Sequence, residues 1–248
     1  MMNLIKQLLK PITELEAMRP LRMLYIRHCV LPRTHKRYSH MDVAGVFSEI
    51  YAQNKWGDET GDNFQSGTGS SAAYTSRYCE LINSFIQSHE VQTVVDLGCG
   101  DFRVGSRIAR PALSYVGVDV VQDLIAYNEK TFQADHIRFQ CVDITSGVLP
   151  DGDLCLIRQV LQHLSNKEIL MVLDRCAKYR YVIVTEHVPN GRKTKPNLDK
   201  PHGPDIRLYW NSGVFLDQPP FCRRTAILLD VPADKWSVLR SSLIEHSK

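Results

Sequence analysis

Five short, strongly apolar runs recur between residues 91 and 186: VQTVVDL (91–97), SYVGVDV (114–120), IRFQCVDI (137–144), GDLCLIR (152–158) and RYVIVTE (180–186). Each has the length of a strand buried on both faces rather than the alternation of a half-solvated one. Helical patterns lie between them. QDLIAYNEKTF places Leu124, Ile125, Asn128 and Phe132 near one face. SNKEILMVLDRCAKY opens with Ser165 and Glu168 at capping-box spacing and carries Ile169, Leu170, Leu173 and Ala177 as an apolar stripe. Strand–helix alternation predicts a parallel sheet with right-handed crossovers and helices on both faces. Near the C-terminus the alternation stops. TAILLDV (225–231) and WSVLRSSLIE (236–245) are strand-like and joined by PADK. That joint is too short for a crossover, so the pair predicts an antiparallel hairpin at one sheet edge.

The 248 residues suffice for one sizeable α/β domain with an appendage. Upstream of the sheet, DVAGVFSEIYAQ (42–53) predicts a helix capped by Asp42. A polar, Gly-rich loop, NKWGDETGDNFQSGTGSS, follows, and AAYTSRYCELINSFIQS (72–88) resumes as a helix with Leu81, Ile82, Phe85 and Ile86 inward. Residues 187–221 form a second long loop, and loops of this length in a compact domain usually carry function. The first 38 residues are the most basic part of the chain. Leu4, Ile5, Leu8 and Leu9 share one helical face, as do Leu21, Leu24, Tyr25 and His28. Two readings stand: an arm packed on its own domain or on a second copy, or a peripheral membrane contact or partner-binding helix within residues 1–38. No run of about eighteen apolar residues exists, so no membrane span is expected. The N-terminal apolar run is broken by Lys6, Lys10 and Pro11 and no small-residue cleavage site follows, so no signal peptide is expected. Seven cysteines without a C-x-x-C pair indicate neither zinc nor a disulfide framework and fit a reduced, cytoplasmic compartment. The formal charge of +3 falls short of the basic stripe of a dedicated nucleic-acid binder.

The first strand runs into a glycine loop, VVDLGCGDFRVG (94–105). Gly98 and Gly100 fit the start of a G-x-G-x-x-G dinucleotide fingerprint, but Arg103 stands at its third position. A G-K-[ST] phosphate loop is absent. Instead Asp96 sits two residues before the first glycine, where an anion repels a pyrophosphate and attracts an ammonium. The loop therefore suits a nucleoside that bears a cationic amino-acid tail and no phosphate. Asp119, nineteen residues after Gly100, ends the second strand and can chelate two ribose hydroxyls. Asp143 ends the third strand and can accept from an adenine amino group, with the backbone amide of Ile144 meeting a ring nitrogen. All three acids fall at C-terminal strand ends, where open α/β sheets bind ligands.

These segments, with YVGVDVV, FQCVDIT and DLCLIRQVLQHLSNKEI in the same order over roughly residues 91–186, resemble the class I S-adenosylmethionine-dependent methyltransferases. The resemblance implies a seven-stranded, doubly wound, Rossmann-like α/β sheet of five parallel strands plus a C-terminal antiparallel hairpin, with an N-terminal helical arm. It implies S-adenosyl-L-methionine as cofactor and no metal. Asp96, Gly98 and Gly100 would face the methionine part, Asp119 the ribose, and Asp143 with Ile144 the adenine. The chain then divides into an arm, 1–40, and a methyltransferase domain, 41–248. In that domain 42–90 form a helical cap with a cofactor-covering loop, and 187–221 an acceptor-side insertion.

The fourth strand's end, IRQVLQHL, is where that family places residues near the reactive methyl, which brings in Arg158, Gln159, Gln162 and His163. The [DN]-P-P-[YF] signature of the family's amino-nitrogen methylating members is absent there; QPPF at 218–221 stands some sixty residues late. His163 is either a base for an acceptor hydroxyl or a packing residue against the adenosine. His187, in VTEHVP, is either a second base candidate or half of a structural pair with Glu186. Trp56 and the turn containing Ser66 and Ser70 are expected over the cofactor, with Ser70 as a contact to its carboxylate or a helix cap. The expected function is O-methylation of a small-molecule or glycan-type acceptor. Its rivals are methylation of a nucleic acid or protein docked on the basic arm, and a cofactor-binding partner subunit without catalysis.

Overall fold

The computed structural model describes residues 18–57, 64–67, 69, 72–191 and 193–246. Its strands are β1 (Thr93–Leu97), β2 (Ser114–Asp119), β3 (Ile137–Cys141), β4 (Leu154–Arg158), β5 (Tyr181–Pro189), β6 (Ala226–Asp234) and β7 (Ser237–Glu245). They form one sheet in the order β3-β2-β1-β4-β5-β7-β6. The first five pair in parallel, and β7 enters antiparallel between β5 and β6. The order reverses beside β1, so the ends of β1 and β4 diverge and open a crevice there.

Strand alternation divides the core in two. Val94, Tyr115, Leu154, Leu156 and Ile183 face one side, where α4 (Ala72–Ser88) lays Tyr78, Ile82, Phe85 and Ile86 against them. Val95, Val118, Ile157, Val182 and Val184 face the other, against Ile169, Val172 and Leu173 of α6 (Asn166–Arg175). Burying such side chains contributes about 1.5–3 kcal/mol each. The capping box of α6 is present, with Ser165 N–H donating to Glu168 at 2.8 Å and Glu168 N–H to the Ser165 hydroxyl at 3.3 Å. Ala177, on the predicted stripe, is exposed. The helix tightens into a single 3₁₀ turn at Cys176–Lys178, and the rotation brings Cys176 inward instead.

Two of the four crossovers between parallel strands carry no α-helix. Between β1 and β2 only a 3₁₀ turn, Gly105–Arg107, forms, and residues 142–153 between β3 and β4 are turns. Gly105 and Pro111 interrupt the first, and Gly147, Pro150 and Gly152 the second. α5 (Gln122–Thr131) is the helix between β2 and β3, and the β6–β7 hairpin closes through Lys235 and Trp236.

Ahead of the sheet come α1 (Arg19–Tyr25), a π-type turn (Ile26–Val30), α2 (Leu31–Tyr38) and α3 (Val43–Ala52). Asp42 caps α3, accepting from Gly45 N–H at 2.8 Å. Leu31 and Tyr38 are buried, and His35 meets Asp205 at 3.3 Å. The arm thus packs on its own domain through α2. The face of Leu21, Leu24 and Tyr25 stays 51–59% exposed, and Leu4, Ile5, Leu8 and Leu9 lie outside the described residues. Among the described residues no helix is long and apolar enough to cross a membrane.

Candidate active site

The carboxyl ends of β1, β2 and β4, with α3, the 64–69 loop and residues 204–209, enclose a cavity of about 450 Å³. This is the size range of small-ligand sites. Asp96, Gly98, Gly100, Asp119, Asp143, Ile144, Arg158, Trp56, His163 and His187 all line it. Ser70 lies outside the described residues.

The glycine loop is shaped by backbone requirements. Gly98 and Gly100 adopt φ of 76° and 56°, a region that disfavours any side chain. A Cβ would meet the Val160 side chain at 2.3 Å from Gly98, and the Ser66 hydroxyl at 2.3 Å from Gly100. Asn128, fully buried on α5, donates to the Gly100 carbonyl at 2.7 Å. A two-bond clasp ties the covering loop down: Ser66 N–H donates to Asp101 at 3.0 Å, and Asp101 N–H to the Ser66 hydroxyl at 2.8 Å. Tyr51 OH meets the same hydroxyl at 2.9 Å. Ser66 is therefore occupied with the loop and not held out toward a ligand.

The three strand-end acids differ. Asp96 is buried and accepts from Tyr115 OH at 2.9 Å. Desolvation pushes its carboxyl up to about 6, against the opposing pull of the Tyr115 bond and the Arg158 charge. Asp119 accepts from Gly100 N–H at 3.1 Å and Val121 N–H at 3.2 Å. Burial raises its carboxyl too, while these amides hold it down. Asp143 is most committed to its own turn, accepting from Thr145 N–H at 2.8 Å, the Thr145 hydroxyl at 2.7 Å and the Ser146 hydroxyl at 3.1 Å. Arg158 donates to the Gly69 carbonyl at 2.6 Å, and its buried Nε has no partner. Asp96 and Arg158 thus place an anion and a cation with an open donor in one wall, complementary to a zwitterionic amino acid. The glycine cradle, the buried acids and this pair fit an adenosyl amino-acid cofactor.

The histidines sit in contrasting settings. His163 packs against Trp56 and Phe47, ring centroids 5.4 and 6.2 Å away. Its Nδ1 lies 3.2 Å from the Gly203 carbonyl and so carries the proton, and Nε2 faces the Gln162 amide nitrogen at 3.4 Å. Burial, with Lys200 and Arg207 nearby, depresses it to about 3. His187, half-buried, meets the Ser237 hydroxyl at 2.8 Å through Nε2. It does not pair with Glu186, because neighbours along a strand point to opposite faces.

Glu186 turns inward and accepts from Val160, Leu161 and Gln162 N–H at 3.1, 2.8 and 3.1 Å. Arg207, 1% exposed, takes the carbonyls of the same turn: Leu161 at 3.3 Å, Gln162 at 3.1 Å and Leu164 at 2.8 Å. It also donates to Leu198 O at 3.0 Å and Asn166 Oδ1 at 2.9 Å. A buried acid and a buried base thus grip the backbone of the turn that carries Gln162 and His163. Neither role shows in the sequence, where Arg207 lies in a polar loop. Gln159, at φ 56°, marks the strained start of this turn.

Residues 94–179 match the family model described as a methyltransferase domain. Phosphoethanolamine N-methyltransferase 1 of Arabidopsis thaliana is 31% identical over 97 residues, 37% of this chain and 20% of that protein. Phosphoethanolamine N-methyltransferase of Triticum aestivum is 29% identical over 103 residues, 40% of this chain and 20% of that protein. The chain thus spans a fifth of the length of these curated relatives. Among solved structures, the N-methyltransferase NodS of Bradyrhizobium japonicum WM9 with S-adenosyl-L-homocysteine superposes with a TM-score of 0.53 at 14% identity, over 82% of this chain and 99% of that one. The N-terminal domain of EvdMO1, solved with S-adenosylhomocysteine and D-fucose, gives 0.51 at 13% identity, over 84% and 99%. Residues 94–179 thus match a methyltransferase domain, and the chain shares its fold with the solved N-methyltransferase NodS.

Proposed function

We propose that the protein transfers a methyl group from S-adenosylmethionine to a hydroxyl of a small, unphosphorylated acceptor, of which a glycan-type polyol is one class. The observation that carries this is the charge lining of the cavity. Its carboxylates are Asp96, Asp101, Asp119 and Asp143, and Arg158 is its one guanidinium among the described residues. Such a lining accepts a cationic, phosphate-free cofactor and repels a phosphorylated acceptor. The phosphoethanolamine named for the two plant relatives is therefore a poor fit here.

When bound, the cofactor supplies an electrophilic methyl on a sulfonium. Asp96 holds its ammonium, Arg158 its carboxylate, Asp119 the ribose hydroxyls, and Asp143 with the Ile144 amide the adenine edge. Phe47, Trp56, Ile206 and Tyr209 leave an apolar mouth for the acceptor and exclude water. Orientation of acceptor and methyl supplies most of the acceleration. Oxygen as the methylated atom is supported by two uncharged imidazoles in the cavity wall and the absent amino-methylation signature.

Two experiments test this. In calorimetry S-adenosylhomocysteine should bind in the micromolar range or tighter, about −8 kcal/mol, and NAD should show no specific heat. Labelled methyl should then pass to hydroxyl acceptors in a screen that also contains amines and phosphorylated analogues. Transfer only to a phosphorylated amine would overturn the acceptor reading, and tight NAD binding without S-adenosylhomocysteine binding would overturn the whole.

Asp96→Asn separates function from fold. The folded carboxyl at about 6 stands above its ordinary 3.8, so the native chain binds more protons than the unfolded one between those values. Stability then falls as pH rises through that window, and the substitution removes the penalty at pH 8. The melting temperature there should not drop, while affinity for S-adenosylhomocysteine falls about tenfold, as for one charged hydrogen bond. A lower melting temperature with unchanged affinity would make Asp96 purely structural.

A further inference from the structure

The end of β5 and the β6–β7 turn share a chain of three polar side chains that methyl transfer alone does not require. His187 Nε2 and Asp234 Oδ1 each lie 2.8 Å from the Ser237 hydroxyl oxygen. Asp234 also accepts from Trp236 N–H at 2.7 Å. Although burial opposes ionisation, these bonds and the Arg19 charge hold its carboxyl below the usual range, so it is an anion that only accepts. The Ser237 proton must then go to Asp234, and the Ser237 oxygen can only accept from His187. A neutral His187 is thereby left with its proton on Nε2 and its lone pair on Nδ1. Nδ1 has no protein partner among the described residues, and His187 lines the cavity. His163 has the opposite arrangement: its proton is bound to Gly203 O, and its lone pair faces Gln162.

We infer that His187 is the proton acceptor for the methylated hydroxyl, and that Ser237 and Asp234 are positioning residues that fix its tautomer through the hairpin turn. The inference rests on the methyl-transfer reading. The acceptor oxygen bonds the methyl carbon, the carbon–sulfur bond breaks with its electron pair going to sulfur, and the hydroxyl proton goes to His187 Nδ1. Asp234 then faces the new imidazolium through the Ser237 hydroxyl. Ser237 is almost wholly buried and stands in register with Pro189, so the turn holds the relay at a rigid end of the sheet. The charged groups around it are Asp234 on β6, Arg19 on α1, whose guanidinium lies 4.8 Å from the Trp236 ring, and Lys235 in the turn, 5.0 Å from it. Desolvation lowers the imidazole and Asp234 opposes it, and the net shift is downward, so the ring is uncharged at neutral pH.

Nitrogen-15 NMR of the imidazoles in the full chain, with and without S-adenosylhomocysteine at pH 8, tests this independently of turnover. In the native protein His187 should show the Nε2–H tautomer and His163 the Nδ1–H tautomer. Ser237→Ala should abolish the His187 preference, Ser237→Thr should restore it, and Asp234→Asn should move the His187 titration midpoint to lower pH. His187 in the Nδ1–H form in the native protein would overturn the proposal, and this needs no variant to fold. If S-adenosylhomocysteine binds and the tautomer is wrong, the relay alone fails. If S-adenosylhomocysteine leaves all resonances and the calorimetric baseline unmoved, the methyl-transfer reading fails instead.

Discussion

Arg207→Met is expected to destabilise the protein by about 3–5 kcal/mol, since several buried carbonyls lose their donor at once and each unsatisfied buried acceptor costs about 1–3 kcal/mol. Single domains are commonly stable by only about 5–15 kcal/mol, so the loss is a large share of the whole. The buried carbonyls of Leu161, Gln162 and Leu164 would lose their donor, and Glu186 would lose its facing cation. Arg207→Lys should recover little, because one ammonium cannot reach the five acceptors that the planar guanidinium spans. The loss should also depend on pH. Burial holds Glu186 at about 8, above its ordinary 4.5, against its three amide bonds and Arg207. The native state therefore binds more protons than the unfolded chain in that window, and stability falls as pH rises through it. Removing Arg207 raises the Glu186 value further, so the variant should lose more at pH 9 than at pH 6. Urea unfolding at both pH values measures this through the midpoint at constant slope. A loss below about 1 kcal/mol, the scale of one neutral hydrogen bond, would show that the guanidinium is dispensable.

Asp119→Ala should weaken S-adenosylhomocysteine binding by about 1.5–3 kcal/mol, or roughly 10- to 150-fold, the range for hydrogen bonds to a charged group. The same carboxylate accepts from Gly100 and Val121 N–H, so the free protein should also lose about 1–3 kcal/mol as two amides lose their acceptor. Asp119→Asn keeps one acceptor oxygen and should fall between the two. Calorimetry for affinity and denaturation for stability separate the effects. Loss of stability with unchanged affinity would make Asp119 a prop for the glycine loop and nothing more.

β1, β2, β4 and β5 are legible in the sequence because a strand covered on both faces must be apolar throughout, and the acids at their ends stand out against that background; β3, expected to be equally buried, is the sheet's edge strand and leaves Arg138, Gln140 and Cys141 exposed. Asp96 and Asp119 need no more than this to be found. The missing helices before β2 and β4 are also signalled, by Gly105, Pro111, Gly147 and Pro150, once a crossover is not assumed to be helical. Glu186 is a subtler case. Adjacency suggests a pair with His187, yet the two-residue period of a strand already separates them. Arg207 gives no local signal, since most of its partners are oxygens forty-odd residues away and any solvated loop contains an arginine. The Asp234–Ser237 contact is legible as a turn, but its meeting with His187 depends on how β7 registers on β5. That register is set by the whole hairpin and not by either strand alone.

The grip of Glu186 and Arg207 on the 160–164 turn has a consequence for how such a site diversifies. Within that turn the two side chains bond only amide N–H and carbonyl groups, which every residue except proline carries in full. The identities at 162 and 163 therefore do not enter the bonds that hold the backbone in place. Gln162 and His163 can be exchanged, and the mouth of the cavity reshaped for a different acceptor, while the scaffold beneath stays anchored. Change of ligand and maintenance of the fold are decoupled at this turn, so a lineage can drift in what the cavity takes without first having to become more stable.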